Sequence, residues 1–392
     1  MPSSEFLFIH PLLGPDDAWS GYRVKFAPGH SNPETLNRLC DAVLVNNFDQ
    51  RHPWFIPAIP GSSVKSSLGE RAVTVFPALP GPLEMEAIKE YEASLRQSRC
   101  KVGLLATPEV KLPGTGAWNY LLIGASHARS LPPFTLLGMA SRTIVLATEV
   151  HSQNDRDWML SNGSVLSTTE FLLARLNSGK KADMSRVKLL EMLALIAEDA
   201  DTSKLEAIFR QESKLSYSLL RLVNSAAVAP RSPITSFGQA INLLGRRQLQ
   251  RWLQLLVYAD PNNGQHPNPL LQKAAARGRQ LELLAPHLNP PPEAENLEDA
   301  AFMVGTFSLL DILLNMSTKE ILQQLPLAPV VHDALAEHAG GLGQLLSAID
   351  AAEAGELTRA ASKLNELGIS GDAYRDAQLI SYSWASSIRP AG

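Results

Sequence analysis

A βα-repeating domain followed by an all-helical domain is the fold class this sequence predicts, and three observations predict it. Up to about residue 180 short β-rich runs alternate with helical patterns, the signature of strands joined by helical crossovers. From Ser185 onward apolar residues recur at helical spacing almost without interruption. Between the two lies Asn177-Ser178-Gly179-Lys180-Lys181-Ala182-Asp183, a small, polar and charged stretch that reads as a linker. The 392 residues fit two domains at roughly 100–200 residues each, which we place at 1–178 and 185–392.

In chain order, strands are expected at Phe6–Ile9, Tyr22–Phe26, Val43–Asn47, Ala72–Phe76, Lys101–Ala106, Tyr120–Ile123, Thr143–Val150 and Ser164–Phe171. Several are continuous apolar runs, as in parallel strands buried on both faces. The clearest helix between them is Leu83–Arg99, where Leu83, Ala87, Tyr91 and Leu95 recur every four residues. Prolines at 53, 57 and 60, at 77, 80 and 82, and at 132–133 punctuate the loops. In the second half Leu189, Leu190, Leu193, Ile196 and Ala197 form one apolar face, and Leu205, Ile208 and Phe209 begin another behind the cap signal Asp201-Thr202-Ser203. Further helices are read at 216–226, 236–243, 246–258, 270–287, 297–315, 330–339, 342–354, 357–367 and 371–387. The longest loops carry Pro261-Asn262-Asn263-Gly264 and Asn289-Pro290-Pro291-Pro292.

Composition narrows the function. A net charge of -4 supplies no excess of positive charge to hold a nucleic-acid backbone or an anionic membrane. Arg246, Arg247 and Arg251 make only a small basic patch, so DNA is not an expected partner. With 45% hydrophobic and 19% charged residues, the chain has the make-up of a well-packed globular protein. Cys40 and Cys100 are the two cysteines, too few for a disulfide framework, and with no signal-peptide pattern or apolar run long enough to span a membrane the expectation is a cytoplasmic protein.

The second half carries a specific pattern, Leu219-Leu220-Arg221-Leu222-Val223-Asn224-Ser225-Ala226 followed by Ile234-Thr235-Ser236-Phe237-Gly238-Gln239-Ala240-Ile241-Asn242-Leu243-Leu244-Gly245. Physically, Leu215, Leu219, Leu222 and Val223 form a helix face. Asn224 and Ser225 suit helix-terminal backbone groups, Ser236 is a natural N-cap, and Gly245 permits a tight exit before the next helix. The paired blocks resemble those of the HDOD domain, a helical output module related to HD-type phosphohydrolases. That resemblance implies an HD-domain-like fold and marks Leu222, Asn224, Ser225, Ser236, Leu244 and Gly245 as structural or interaction residues. The family's Asp-Pro pair is replaced by Glu212-Ser213, where Ser213 still caps. Metal-dependent HD hydrolysis needs several fixed ligands. Here Asp311 has Leu310 where a histidine would stand, and the one His-Asp pair, His332-Asp333, lies beyond the expected helix with only His338 and Asp350 as further candidates.

The first half resembles, more faintly, the EAL-type phosphodiesterase barrel that precedes the HDOD domain in EAL–HDOD signalling proteins. The carriers are Phe8-Ile9-His10-Pro11 with Gly21-Tyr22-Arg23-Val24-Lys25-Phe26, then Val45-Asn46-Asn47-Phe48, then Ala147-Thr148-Glu149-Val150-His151. The resemblance implies a TIM-like βα barrel whose active members hold two metal ions on carboxylates at the strand ends, and places the signature glutamate at Arg23. The paired aspartates fall near Leu105 and Ala106, the lysine of the next strand near Ile123 or Gly124, and the late glutamates at Thr148 and His151. Only Glu149 remains, offset by one and so expected on the other face. Against ~250 residues for a typical barrel, the first domain implies a degenerate or trimmed one, incomplete or distorted, with its pocket closed.

Taken together these readings predict a bacterial signal-transduction protein that is not an enzyme, with no catalytic residue, no metal and no cofactor. It would act through its HDOD domain on an unidentified protein partner in a pathway linked to cyclic di-GMP. Two alternatives are kept: a non-hydrolysing cyclic di-GMP receptor, for which Arg23, Asn46 and Asn47 are the residual ligand-binding candidates with Arg129 and Arg142 as further arginines, and an atypical metal-dependent cyclic di-GMP phosphodiesterase. No membrane insertion is expected.

Overall fold

In the computed structural model the residues described are 5–62, 68–79, 85–174, 193–195, 213–225, 228, 230–258 and 268–388. Two compact units result, the first comprising residues up to 174 together with Glu353–Thr358 and the second the remaining C-terminal helices. The readings at 177–183, 201–209 and 261–264 fall outside the described residues.

The first unit is a closed barrel of eight strands in sequential order: β1 (Leu7–Leu13), β2 (Trp19–Phe26), β3 (Trp54–Pro57), β4 (Ala72–Pro77), β5 (Lys101–Leu105), β6 (Tyr120–Gly124), β7 (Ile144–Thr148) and β8 (Ser164–Ser167). Strand β1 runs antiparallel to both β2 and β8, while β2 through β8 are parallel to one another. The seven C-terminal strand ends and the start of β1 therefore share one mouth. Alternation along the strands sends Leu12, Phe55, Val73, Val75, Tyr120, Leu122, Leu146 and Leu166 into one interior cluster, with Phe55 edge-on to Tyr120 at 5.1 Å.

Closure corrects the expectation of an incomplete barrel. What the short sequence trims is the helical layer, because strands fix the barrel circumference and crossovers do not. The fully described 106–119 connection between β5 and β6 contains no helix, and β6 reaches β7 through two single-turn helices, α3 (Ala125–Ser130) and α4 (Thr135–Ala140). Longer crossovers survive as α1 (Pro33–Val45), α2 (Met85–Gln97) and α5 (Gln153–Ser161).

A second correction falls on Val43–Asn47, read as a strand. This segment ends α1, whose N-cap Asn32 accepts from the Glu34 amide and whose Pro33 opens the first turn. Leu36, Leu39, Cys40 and Val43 form its buried stripe, a 3.6-residue period that the local Val-Leu-Val run disguised. The strand that follows β2 is instead Trp54–Pro57, short and framed by prolines. Burial pushes the Cys40 thiol up to about 12, and both cysteines are free.

The second unit is helical throughout its described length: α6 (Ser213–Val223), α7 (Phe237–Leu256), α8 (Pro269–Leu284), α9 (Leu297–Phe307), α10 (Leu310–Leu314), α11 (Thr318–Leu322), α12 (Pro329–Glu337), α13 (Gly340–Glu353), α14 (Leu357–Glu366) and α15 (Gly371–Ser387). Ser236 caps α7 by accepting from the Gln239 amide, and Gly245, at φ 73° and ψ 164°, breaks that helix into the two segments expected at 236–243 and 246–258. Asn224 binds the loop that leads to α7: its Oδ1 accepts from the Ile234 amide at 2.7 Å, while its Nδ2 donates to the carbonyls of Leu220 and Ile234 at 2.7 and 2.8 Å. Asn224→Ala strands these backbone groups, so denaturant unfolding should report a loss of about 2 kcal/mol; an unchanged midpoint would remove the clamp from the account.

Candidate functional site

The mouth of the barrel is built first by β1 and β2. His10 lies opposite Arg23 and Phe8 opposite Lys25, Arg23 pairs with the interior residue Phe55, and His10 and Phe8 share the face of the interior residue Leu12. Arg23 and Lys25 therefore both point into the barrel, one below the other, near the C-terminal end of β2. Tyr22 and Val24, which alternate with them, are buried on the outer face, Tyr22 stacking on Trp54 at 4.7 Å. Neither cation has a hydrogen bond or an ion pair among the described residues.

The other strands bring polar groups to the same end. Gly124 and Thr148 follow the interior residues Leu122 and Leu146 by two positions, and Thr168 follows Leu166 likewise. Glu149 comes next after β7 with φ 54°, and this left-handed turn overrides strand alternation. It lays the carboxylate over Gly124, where a side-chain carbon would meet Glu149 Oε2 at 2.6 Å. The expectation that Glu149 faces away is thereby corrected. Glu170 sits in the 3₁₀ turn that follows β8. Buried polar atoms without a hydrogen-bond partner occur at this end too: Thr107 Oγ1 beyond β5, His127 Nδ1 beyond β6, and Thr168 Oγ1 and Glu170 Oε2 at the end of β8, whereas Ser167, paired with Leu13 and alternating with Leu166, is on the outer face. Thr168 is only 4% exposed, so its hydroxyl lacks bulk water as a partner.

Electrostatics follow from this placement. Desolvation pulls the Arg23 guanidinium below its ordinary value, with the charges of Glu170 and Glu149 opposing it. Lys25 falls from 10.5 to about 8, first through desolvation and then through the neighbouring Arg23 charge, again opposed by Glu170 and Glu149. Both carboxylates act from beyond ion-pair distance, and the half-buried donors of Arg23 and Lys25 have no protein acceptor among the described residues. A group with several anionic oxygens satisfies that set. A divalent cation does not fit: two half-buried cations point inward from β2, and among the described residues no group of three or more His, Cys, Asp or Glu stands ready to hold a metal.

Of the sequence candidates, only Arg23 lies in this mouth. Asn46 is the C-cap residue of α1 and donates through Nδ2 to the Ala42 carbonyl at 2.8 Å; Asn47 is exposed beside it. Both left the mouth when the expected strand proved to be a helix end. Arg129 pairs with Asp155 at 3.1 Å and stacks over Trp158. Lys25 was missed, although Arg23-Val24-Lys25 in a strand places two cations on one face.

In the helical unit Leu222 and Ser225 are buried, Leu244 is half-buried, and Asn224, Ser236 and Gly245 shape the backbone as described. His332 touches its neighbour Asp333 at 3.1 Å, with both exposed. Asp311, His338 and Asp350 do line one cavity of about 200 Å³, but the Arg277 guanidinium holds Asp350 at 2.8 Å, and His338 takes its other oxygen at 3.2 Å. The basic residues Arg247 and Arg251 are tied to Glu298, Asp299 and Glu282.

Residues 185–275 match the family described as the HDOD domain. The chain is 32% identical over 190 residues, 48% of its length and 43% of the relative, to the cyclic di-GMP phosphodiesterase CdgJ of Vibrio cholerae. It is 27% identical over 252 residues, 63% of its length and 60% of the relative, to the uncharacterized protein YuxH of Bacillus subtilis. The chain thus spans about half the length of these curated relatives. Among solved structures it is similar to the Bacillus subtilis YkuI protein with an EAL domain, in complex with c-di-GMP and calcium, at 13% identity, 62% and 72% coverage and a TM-score of 0.31. It is also similar to the Xanthomonas citri FimX EAL domain in complex with c-diGMP, at 16% identity, 43% and 87% coverage and a TM-score of 0.31.

The match to a protein named a phosphodiesterase overturns the expectation that the chain is not an enzyme, which rested on the loss of the EAL and HD metal-ligand sets. No described helix is long and apolar enough to cross a membrane. Residues 185–275 thus carry a match to the HDOD domain, and the residues described up to 174 form a closed eight-stranded βα barrel.

Proposed function

We propose that the barrel mouth recognises cyclic di-GMP and that the chain is a cytoplasmic signal-transduction protein in a pathway of that dinucleotide. The observation that carries this reading is the pair of inward, unpartnered cations Arg23 and Lys25, set among orphaned hydroxyls at the strand ends. Sites in TIM-type barrels lie at this end of the strands. A cyclic dinucleotide brings two phosphodiesters, whose oxygens accept from guanidinium and ammonium groups, and a hydroxyl donates to an oxygen that they leave free. The architecture and the Vibrio relative's name supply the choice of dinucleotide.

A second reading is that the bound dinucleotide is also hydrolysed, which the name of that relative favours. Calorimetric titration of the full chain with cyclic di-GMP, with the nucleotide afterwards separated by chromatography, tests both. Saturable heat is the expected result. A linear dinucleotide in the recovered sample establishes hydrolysis, whereas an isothermal baseline with unchanged nucleotide refutes recognition at the mouth.

A further inference from the structure

Resting on the reading of the mouth as a phosphodiester site, we infer that Arg23 and Lys25 take over the charge role of divalent cations, so that this barrel binds its phosphate ligand without metal. The disagreement between the fold's metal-binding precedent and these residues is the ground for it. On β2 the inward positions closest to the mouth are an arginine and a lysine, stacked on the same face by the register with His10 and Phe8. Covalently fixed positive charge is thus already in place, desolvated and without an ion pair within reach.

Among the described residues the carboxylates that act on these cations are Glu149 and Glu170. Glu149 is pressed against Gly124 and Glu170 keeps one buried oxygen unpartnered. Two carboxylates facing two cations leave no surplus negative charge to draw in a divalent ion, which needs several hard oxygen ligands. An anion, in contrast, meets donors on Arg23 and Lys25 and the hydroxyls of Thr168 and Thr107, all without a partner among the described residues. Metal independence is therefore a property of the strand ends themselves.

The test uses the full chain and three probes. Titrated with Ca²⁺ or Mn²⁺ alone, it should show no saturable binding; binding abolished by Glu149→Gln overturns the inference. Inorganic pyrophosphate in excess EDTA should bind and be weakened at least about tenfold, 1.4 kcal/mol, by Lys25→Gln. Failure of wild-type protein to bind it overturns the inference as well. Cyclic di-GMP affinity in EDTA and in Mg²⁺ should agree within about threefold, and a requirement for Mg²⁺ contradicts it. If pyrophosphate binds and the dinucleotide does not, the inference stands while the assignment of cyclic di-GMP fails.

Discussion

Gly305→Val is expected to destabilise the helical unit by about 3 kcal/mol, the upper end of overpacking costs. At this point α9 crosses α8 backbone to backbone: a side-chain carbon on Gly305 would sit 2.6 Å from the carbonyl of Arg277 and from Cα of Gly278. Gly278 has the reciprocal constraint, with Thr306 Cγ2 at 2.7 Å and the Phe302 ring at 3.1 Å. Main-chain atoms cannot rotate aside as a flexible side chain does, so valine forces the helices apart. The same displacement pulls on the buried hydrogen bond from the Tyr258 hydroxyl to the Thr306 carbonyl and on the packing of Phe302 against Trp384. In a thermal melt followed by near-ultraviolet dichroism, the transition of the helical unit should fall by roughly 6–12 °C, at 2–4 °C per kcal/mol for a unit of this size. An unaltered melt would mean the crossing is looser than described.

Arg23→Glu is expected to have the largest effect on the site: loss of phosphodiester affinity by at least about 100-fold, or 2.7 kcal/mol. Removing one charge costs donors; reversing it also sets a third carboxylate near Glu149 and Glu170 and repels the ligand. The same substitution should create measurable Mn²⁺ binding where the wild-type chain has none, a gain that misfolding does not produce. Lys25 adds a pH dependence. Its pKa of about 8 keeps it cationic below that pH, so affinity should hold at pH 6.5–7.5 and decline as pH rises through about 8. An anion raises that pKa, and binding above pH 8 should take up a proton, visible as a dependence of the calorimetric heat on buffer ionisation enthalpy. For folding the sign is opposite. The unfolded chain holds more protons between about 8 and 10.5, so this lysine contributes increasing stability as pH rises across that window. Desolvation sets it first, then the charges of Arg23, Glu170 and Glu149, and His10 faces Arg23 across the β1–β2 pair.

Sequence reasoning read the helical unit closely because its signals are local. Leu219, Leu222 and Val223 mark a face, Ser236 marks a start and Gly245 marks a break, and each depends on neighbours a few residues away. In the barrel, fold class was legible and register was not. A four-residue strand such as Trp54–Pro57 carries too few residues for a period of two to stand out, while Val43–Val45 mimics a strand at the end of an amphipathic helix. That single misplacement sent Asn46 and Asn47 to the site. Conversely, Glu149 was read as facing away because alternation was extended past the strand, where its φ of 54° ends the rule. The resemblance marked Arg23 as a lost metal ligand; its proposed use as a donor required seeing Lys25 beside it and the orphaned Thr168 hydroxyl at the end of β8.

The placement of the site at the barrel mouth is tested most directly by hydrogen exchange of the full chain, followed by mass spectrometry, with and without saturating cyclic di-GMP. The account predicts ligand-dependent protection concentrated in Arg23–Phe26, Ala147–Glu149 and Ser167–Glu170, the ends of β2, β7 and β8 and the turns that follow. Protection confined to the helices between Ser213 and Ser387, with none at those strand ends, would contradict it.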